Sequence, residues 1–250
     1  MNIALIGLGK MGRTIKQLAE EQKLIIVATI DPTAKDADYK EISKEAVDKA
    51  DVCIDFTNPS AVMDNIKKLA EFKKNIVLGT TGWNEHEAEV KKIVEESGIG
   101  LIYASNFSIG LALFKRIVED ASQWFHKFPE YDVFGYELHH NTKKDSPSGT
   151  AKTLAESVLK SYPRKTKAVY EKLDRAPEAS ELHFASVRGG RIPGTHIIGF
   201  DSEADTIELK HTARSRLGFA SGALKAAEWV KGKKGFYSID DMINEMIAQK

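Results

Sequence analysis

The sequence is poor in several features that would each point to a particular class of protein. It has one cysteine, Cys53, which excludes an internal disulfide and a zinc site built on several cysteines. Its 36 basic residues equal its 36 acidic ones in number, so no net charge attracts a nucleic acid or an anionic membrane. No segment reaches the roughly 20 apolar residues that span a bilayer, and the first residues lack the pattern of a targeting peptide. We therefore expect a cytoplasmic protein that binds neither nucleic acids nor membranes.

The first 108 residues alternate short apolar runs with segments of helical periodicity. This alternation is typical of parallel strands joined by helices, and it predicts a Rossmann-like, doubly wound parallel sheet. Cys53 falls inside one apolar run (VCIDF), which predicts a buried thiol without a chemical role. The predicted strands are residues 2–6, 24–30, 50–56, 75–78 and 100–103, and the predicted helices are residues 11–20, 59–72 and 84–96.

A glycine-rich turn follows the first predicted strand. Gly7-Leu8-Gly9-Lys10-Met11-Gly12 has the spacing G-x-G-x-x-G, and Asp31 lies 19 residues after Gly12, at the end of the second strand. This arrangement predicts a dinucleotide-binding domain at residues 1–108. Small polar segments at the carboxyl ends of later strands are suited to ribose and nicotinamide. The predicted cofactor-binding residues are therefore Gly7, Gly9, Lys10, Met11, Gly12, Asp31, Gly79, Thr80, Thr81, Ser105, Asn106 and Phe107.

The choice between NADH and NADPH stays open at this point. Asp31 would accept hydrogen bonds from the adenosine ribose and repel a 2′-phosphate, which favours NADH. Lys10, Arg13 and Lys35 would instead neutralise that phosphate and accommodate NADPH. We therefore expect NADH or NADPH, with a slight preference for NADH.

The pattern changes after residue 108. Residues 109–216 combine a helix at 111–125 with strands at 131–140, 182–188, 196–200 and 206–211, which predicts a second, α+β domain that binds the substrate. The polar segment 165–179 is predicted to be an exposed loop or a sheet edge. Helical patterns at 219–230 and 238–248 predict that residues 217–250 return to the first domain, and Ser238 and Asp241 have the spacing of a capping box.

One segment combines imidazole rings, ammonium groups and backbone N–H groups without hydrogen-bond partners. The strand before it places His139 on one face, with Glu137, and His140 on the other. Helical periodicity begins at Ala151, so free N–H groups at the start of this helix would bind a carboxylate or a phosphate, with two lysines beside them. The segment is His139-His140-Asn141-Thr142-Lys143-Lys144-Asp145-Ser146-Pro147-Ser148-Gly149-Thr150-Ala151, and the free N–H groups are those of Ser148, Gly149 and Thr150.

We expect no metal site in this segment. His139 and His140 are adjacent on a strand and point to opposite faces, so they cannot readily share one ion with Asp145. His196 and His211 are either structural or line the same domain.

These segments together resemble the 4-hydroxy-tetrahydrodipicolinate reductase family, over nearly the whole chain. The resemblance implies an NAD(P)H-dependent reduction of a small cyclic dicarboxylate in lysine and diaminopimelate biosynthesis, by a homotetramer assembled through the second domain's sheet. The motifs that carry it are the GxGxMGR start, Asn106-Phe107-Ser108, the run from Glu137 to Ala151, Arg188-Gly189-Gly190, Gly194-Thr195-His196 and the run from His211 to Arg216.

The resemblance also implies roles for individual residues. His139 would be the general acid and Lys143 its catalytic partner, while His140, Gly149 and Thr150 would contact the substrate carboxylates. The ordinary pKa of histidine, about 6.5, would allow His139 to donate a proton near neutral pH.

Two other functions are compatible with parts of the sequence. Another small two-domain dehydrogenase would share the glycine turn, but it would not require two histidines, a lysine and Ser-Gly-Thr in this order. A nicotinamide-dependent sensor would need a basic or apolar surface segment for its partner, and the sequence shows none.

Overall fold

The computed structural model describes residues 1–248, which form two compact units. The first unit is Met1–Ile109 together with the C-terminal segment that starts at Arg216, and the second unit is Gly110–Ser215. The second unit is thus inserted into the chain of the first. Residues 249–250, the end of the segment 217–250, lie outside the described residues. No helix within residues 1–248 is both long and apolar enough to cross a membrane.

The described residues form eleven strands and eight α-helices. The strands are β1 (Asn2–Ile6), β2 (Ile25–Ile30), β3 (Val52–Asp55), β4 (Asn75–Leu78), β5 (Gly100–Tyr103), β6 (Asp132–His139), β7 (Lys167–Val169), β8 (Glu181–Arg188), β9 (Thr195–Asp201), β10 (Thr206–Thr212) and β11 (Gly235–Ser238). The helices are α1 (Lys10–Glu21), α2 (Lys44–Val47), α3 (Val62–Glu71), α4 (Glu87–Ser97), α5 (Ile109–Phe125), α6 (Gly149–Ser161), α7 (Leu217–Val230) and α8 (Ile239–Ala248).

The first unit is built on a parallel sheet of six strands in the order β11-β5-β4-β3-β1-β2. Its strands are apolar on both faces because helices cover both. Ala4, Ile6 and Cys53 pack in one cluster with α2, α3 and α4, and α7 lies beside α1 across β3, β4 and β5. The predicted Rossmann-like fold is confirmed. Cys53 is buried, and burial raises the pKa of its thiol to about 12, so it is not a nucleophile.

The C-terminal segment contributes a strand that the sequence pattern did not predict. β11 extends the first sheet beyond β5, with Gly235 opposite Gly100. A run of four residues is too short to show a periodicity. The helix after it begins as predicted, because the Ser238 hydroxyl accepts the Asp241 N–H at 3.2 Å and the Asp241 carboxylate accepts the Ser238 N–H at 2.7 Å. The capping box is confirmed.

The second unit is built on a mixed sheet of five strands in the order β10-β9-β6-β8-β7. β6 is parallel to β8 and antiparallel to β9. Helices α5 and α6 pack on one face, in a cluster that includes Val133, Phe184 and Phe200. The predicted α+β architecture is confirmed. Alternate residues of β6 are buried, so Glu137 and His139 lie on this helix-covered face.

The prediction of an exposed loop at 165–179 is wrong at its start. Lys165 is only 3% exposed, and its ammonium group lies 2.6 Å from the carboxylate of Asp132. A lysine can be buried in this way because its apolar stem packs while its charged end reaches a partner. The alternative prediction, a sheet edge, describes β7, which is the edge strand beside β8.

Candidate active site

Three predicted cofactor-binding segments lie at one edge of the first sheet, where β1, β4 and β5 end. Phe56, which follows β3, contacts all three. A Cβ on Gly7 would lie 2.3 Å from the carbonyl oxygen of Phe56, and a Cβ on Gly79 would lie 2.2 Å from its ring. The ring centroid of Phe56 is 6.1 Å from that of Phe107. Packing around Phe56 therefore fixes the relative positions of these segments.

The three glycines of the turn after β1 have different surroundings. Gly7 has φ of +88°, and a Cβ on Gly12 would lie 1.9 Å from the carbonyl oxygen of Gly7. A Cβ on Gly9 would meet no atom within 4 Å. Gly7 and Gly12 thus allow the tight turn and the close packing of α1, while Gly9 leaves the backbone open at the N-terminus of α1. The first-turn N–H groups, which include those of Lys10 and Met11, have no acceptor within α1, so this turn fits a pyrophosphate.

Asp31 closes the loop after β2. One carboxylate oxygen accepts the N–H of Leu8 in the glycine turn at 2.8 Å, and the other accepts two N–H groups of the following loop at 2.8 Å each. Burial alone would raise the pKa of Asp31, but these hydrogen bonds lower it to about 2. Asp31 is therefore an anion at neutral pH. Arg13, one of the cations considered for a 2′-phosphate, is held by Asp36 through bonds of 2.6 and 2.8 Å.

Asp55, at the end of β3, is a buried carboxylate surrounded by uncharged donors. It accepts hydrogen bonds of 2.8 Å from the hydroxyls of Thr57 and Thr80 and from the amide of Asn65. Burial raises the pKa of Asp55, and the hydrogen bonds oppose this only in part. The hydroxyl of Thr80 is thus engaged within the protein. Of the other predicted cofactor residues, Thr81 and Ser105 are exposed, and the Asn106 side chain accepts the Ser108 N–H at 2.9 Å.

The second unit contains a fully buried carboxylate, Glu137, in the middle of β6. Its Oε1 atom accepts hydrogen bonds from the guanidinium of Arg188 at 2.8 Å, the hydroxyl of Ser186 at 2.9 Å and the N–H of Ser148 at 3.0 Å. Ser186 lies directly opposite Glu137 on the parallel strand β8. Three donors therefore hold one oxygen of this carboxylate.

The other oxygen of Glu137 accepts a hydrogen bond from the Ser148 hydroxyl and faces two imidazole rings. Oε2 lies 3.2 Å from Nδ1 of His139 and 3.3 Å from Nε2 of His196, which is opposite Glu137 on β9. Burial alone would raise the pKa of Glu137, but hydrogen bonds from His196, Ser148 and Arg188 together lower it well below its usual value. Glu137 is an anion whose charge is balanced by Arg188.

His139 is almost completely buried, with 7% of its surface exposed. Burial is the main cause that lowers the pKa of His139 from 6.5 to about 4, against the opposing attraction of Glu137. The ordinary pKa of histidine therefore does not describe His139 in this structure, and its role as the proton donor stays a prediction. A Cβ on Gly194, which has φ of +146°, would lie 2.9 Å from Nε2 of His139, so glycine leaves the space beside this atom open.

Helix α6 begins close to Glu137. Ser148 is its N-cap, with a hydroxyl that accepts the N–H of Ala151 at 3.1 Å. The prediction that the Ser148 N–H is free is wrong, because it donates to Glu137. The N–H groups of Gly149 and Thr150 have no acceptor within the helix, and a Cβ on Gly149 would meet no atom within 4 Å. The predicted anion site thus has two backbone donors instead of three.

The loop between His139 and Ser148 is tied to the same cluster. His140 follows β6, with its Nδ1 2.7 Å from the hydroxyl of Thr142. The ammonium group of Lys143 lies 2.8 Å from the carboxylate of Asp145, whose carbonyl oxygen accepts a 2.6 Å hydrogen bond from Arg188. Arg188 therefore connects the loop that carries Lys143 to Glu137.

Glu137, His139 and His196 offer donor atoms within 4.8 Å of one another, a spacing at which they could hold a metal ion. The guanidinium of Arg188 already neutralises this carboxylate and would repel a second cation. We assign no metal to this group.

Both parts of the chain match known families. Residues 1–107 match the family described as dihydrodipicolinate reductase, N-terminus, and residues 110–243 match dihydrodipicolinate reductase, C-terminus. The chain belongs to the dihydrodipicolinate reductase family. Dihydrodipicolinate reductases are NAD(P)H-dependent oxidoreductases, which favours the enzyme over the sensor considered above.

Similar proteins cover nearly the whole length of this dihydrodipicolinate reductase family member. The 4-hydroxy-tetrahydrodipicolinate reductase of Christiangramia forsetii is 37% identical over 246 residues, which are 98% of this chain and 99% of the relative. The protein of the same name from Methanoregula boonei is 36% identical over 94% of each chain. The dipicolinate-bound dihydrodipicolinate reductase of Paenisporosarcina sp. TG-14 superposes with a TM-score of 0.81 at 25% identity, over 97% of this chain and 99% of that one.

The two-residue period of β6 predicted that Glu137 shares a face with His139, as it does in this reductase, but the sequence pattern indicated no role for Glu137. A glutamate in the middle of an apolar strand was a usable signal, since a buried carboxylate needs a cation or several donors. Its partner Arg188 is 51 residues away in the sequence, and nothing in the sequence shows that β8 pairs with β6 in this register.

Proposed function

We propose that this protein reduces 4-hydroxy-tetrahydrodipicolinate to tetrahydrodipicolinate with NADH or NADPH, in lysine and diaminopimelate biosynthesis. The observation that carries the proposal is the cluster around Glu137. It joins the buried imidazole of His139, the loop of Lys143 and the open N-terminus of α6 through Ser148 and Arg188. A cyclic dicarboxylate with a conjugated imine requires this combination of one proton donor and separate anion-binding groups.

The first unit would hold the dinucleotide, which when bound supplies the hydride. The open backbone at Gly9 and the first turn of α1 would receive the pyrophosphate. Asp31 would accept the ribose hydroxyls. Because Asp31 is an anion and Arg13 is paired with Asp36, the site favours NADH over NADPH.

The second unit would hold the dicarboxylate. The N–H groups of Gly149 and Thr150 and the ammonium group of Lys143 would bind one carboxylate, and His140 would contact the substrate beside them. His139 would then donate a proton from Nε2. The negative charge of the bound substrate raises the pKa of His139 above its substrate-free value of about 4, so we infer that proton uptake accompanies substrate binding.

We infer a homotetramer assembled through the second unit's sheet, in the cytoplasm. The sheet face opposite α5 and α6 carries Val187, which is 50% exposed, as expected of a face that a second copy covers. Light scattering would measure the mass of the assembly.

The proposed reaction is tested by the loss of nicotinamide absorbance when a dihydrodipicolinate synthase generates the substrate in situ from pyruvate and aspartate semialdehyde. We expect oxidation of NADH, and more slowly of NADPH, that depends on the synthase. His139→Gln should lower kcat about 10²- to 10⁴-fold with little change in KM, as loss of a general acid does. Lys143→Ala should impair both constants. If both cofactors bind but neither is consumed, the second unit serves another dehydrogenase or a sensor, and the proposal is wrong.

A further inference from the structure

We propose that Glu137 is a positioning residue that determines which nitrogen of His139 carries the proton when the ring is neutral. This inference rests on the proposed function, because it concerns the histidine assigned there as the proton donor. It adds a role for a carboxylate that would not touch the substrate.

The first argument is the contact between the two side chains. Oε2 of Glu137 lies 3.2 Å from Nδ1 of His139, and both side chains are more than nine-tenths buried. Among the described residues, Nδ1 has no aligned hydrogen-bond partner. Two lone pairs that face each other at this distance repel, and burial strengthens the repulsion, so the carboxylate favours a proton on Nδ1. Hydrogen bonds of this kind are often misaligned before the substrate binds, and rotation of the ring aligns them.

The second argument is the direction in which the other ring nitrogen of His139, Nε2, points. With the proton on Nδ1, the free lone pair is on Nε2, which points away from Glu137 and lies beside Gly194, where a larger residue would crowd it. His139 then binds a second proton at Nε2, gives that proton to the substrate carbon, and returns to the neutral form with Nδ1–H. The opposite tautomer would hold its only proton on Nε2 while neutral and would be a very weak acid.

The third argument is the rigidity of the carboxylate. Oε1 is fixed by Arg188, Ser186 and Ser148, so Oε2 cannot turn away from His139. The other groups with a charge effect on His139 are His196, Lys143 and Arg188, and each of them disfavours the imidazolium. Glu137 is the group that favours it.

Glu137→Gln is a direct test because three donors contact Oε1, whereas the one hydroxyl that donates to Oε2, that of Ser148, can turn and accept from an amide instead. These contacts orient the new amide. Its carbonyl oxygen must take the Oε1 position, which leaves the NH₂ group facing His139. An NH₂ group donates, so it selects the tautomer with a bare Nδ1 and a proton on Nε2. The variant should therefore invert the tautomer of His139 without moving the loop at Ser148.

The measurement is the ¹⁵N shift of the two ring nitrogens of His139 in the full-length protein, assigned by the signal that His139→Gln removes. We expect Nδ1–H in the wild type and Nε2–H in Glu137→Gln. In the coupled assay, kcat of this variant should fall about 100-fold while KM changes less than about threefold. The matched control is Ser157→Ala, which removes a hydroxyl donor from another carboxylate of the second unit, Glu119, without touching Glu137 or His139, and it should keep the wild-type tautomer and turnover.

An unchanged tautomer in Glu137→Gln, or wild-type turnover, would overturn the inference. If the unpaired charge of Arg188 prevents Glu137→Gln from folding, the double variant Glu137→Gln/Arg188→Met removes both charges and must show the same inversion. The ring signals are read without substrate. A wild type that fails to consume NAD(P)H would therefore refute the proposed function without deciding the tautomer.

Discussion

The two units each bury a carboxylate, and the two carboxylates behave in opposite ways. Asp55 in the first unit and Glu137 in the second are 1% and 0% exposed. The donors to Asp55 are all uncharged, and its pKa is raised because burial outweighs them. Glu137 has a guanidinium and two imidazoles beside it, and its pKa is lowered although burial acts in the opposite direction. A partner with positive charge favours the ionised form of a buried acid, whereas the uncharged donors at Asp55 do not outweigh its burial.

The difference also separates the tasks of the two sites. Around Asp55, hydroxyl and amide groups hold together strand ends at the edge proposed for the cofactor, and no fixed charge is needed there. Around Glu137, a fixed negative charge lies beside the histidine proposed to carry a proton. The predictions below test this contrast, and the largest effect comes first.

The largest expected effect is on stability at neutral pH. Glu137→Ala leaves the mostly buried guanidinium of Arg188 without a counter-charge and should lower the free energy of unfolding by about 3–5 kcal/mol. Asp55→Asn keeps the shape and most hydrogen bonds and should cost about 1 kcal/mol. Urea unfolding measures both. The double variant Glu137→Ala/Arg188→Met should recover much of the loss, and equal losses in the two single variants would contradict the contrast.

An intermediate effect is expected in the pH dependence of stability. The pKa of His139 is about 4 in the folded protein and 6.5 when unperturbed, so the unfolded chain binds a proton first as pH falls. The resulting stability is complete above pH 6.5 and is lost as pH falls towards 4, by about 3 kcal/mol. The measurement is the difference in free energy of unfolding between wild type and His139→Gln across this range.

Asp55 should contribute with the opposite sign. Its folded pKa is raised, so the stability due to its protonated form is present below pH 3.8 and is lost as pH rises through the folded value. The difference between wild type and Asp55→Asn should therefore shrink as pH rises. A slope of the same sign for both pairs would contradict the assignment of a neutral form to His139 and of a raised pKa to Asp55 in the folded protein.

The smallest expected effect on stability concerns Asp36, an exposed carboxylate, which extends the comparison beyond the two buried ones. Arg13 and Asp36 are each more than half exposed, so solvent screens the pair and Asp36→Ala should change stability very little. It frees Arg13 to meet a 2′-phosphate, and kcat/KM for NADPH relative to NADH should rise about fivefold. Glu89→Ala breaks a similar exposed pair with Lys67 and serves as the control. An unchanged cofactor ratio would show that Asp36 does not restrain Arg13.

Much of the first unit could be predicted because buried parallel strands are continuous apolar runs, and glycine marks the turn at Gly7. β11 could not be predicted, because a short edge strand takes its structure from β5 and not from its own sequence. In the second unit, the two-residue period of β6 placed His139 and His140 on opposite faces. The engagement of the Ser148 N–H by Glu137 depends on packing between distant segments, which a local pattern does not show.

The insertion of the second unit into the first has a consequence for the order in which the protein is made. β5 and its neighbour β11 are separated by the whole second unit, and α7, which covers β3, β4 and β5, comes from the same late segment. While the ribosome is still making residues 110–215, the parallel sheet has an unpaired edge and one partly uncovered apolar face. The inserted unit can therefore complete its own sheet before the unit that precedes it. The unit that begins first along the chain is then the last to be completed, although the residues predicted to bind the dinucleotide are made before the inserted unit.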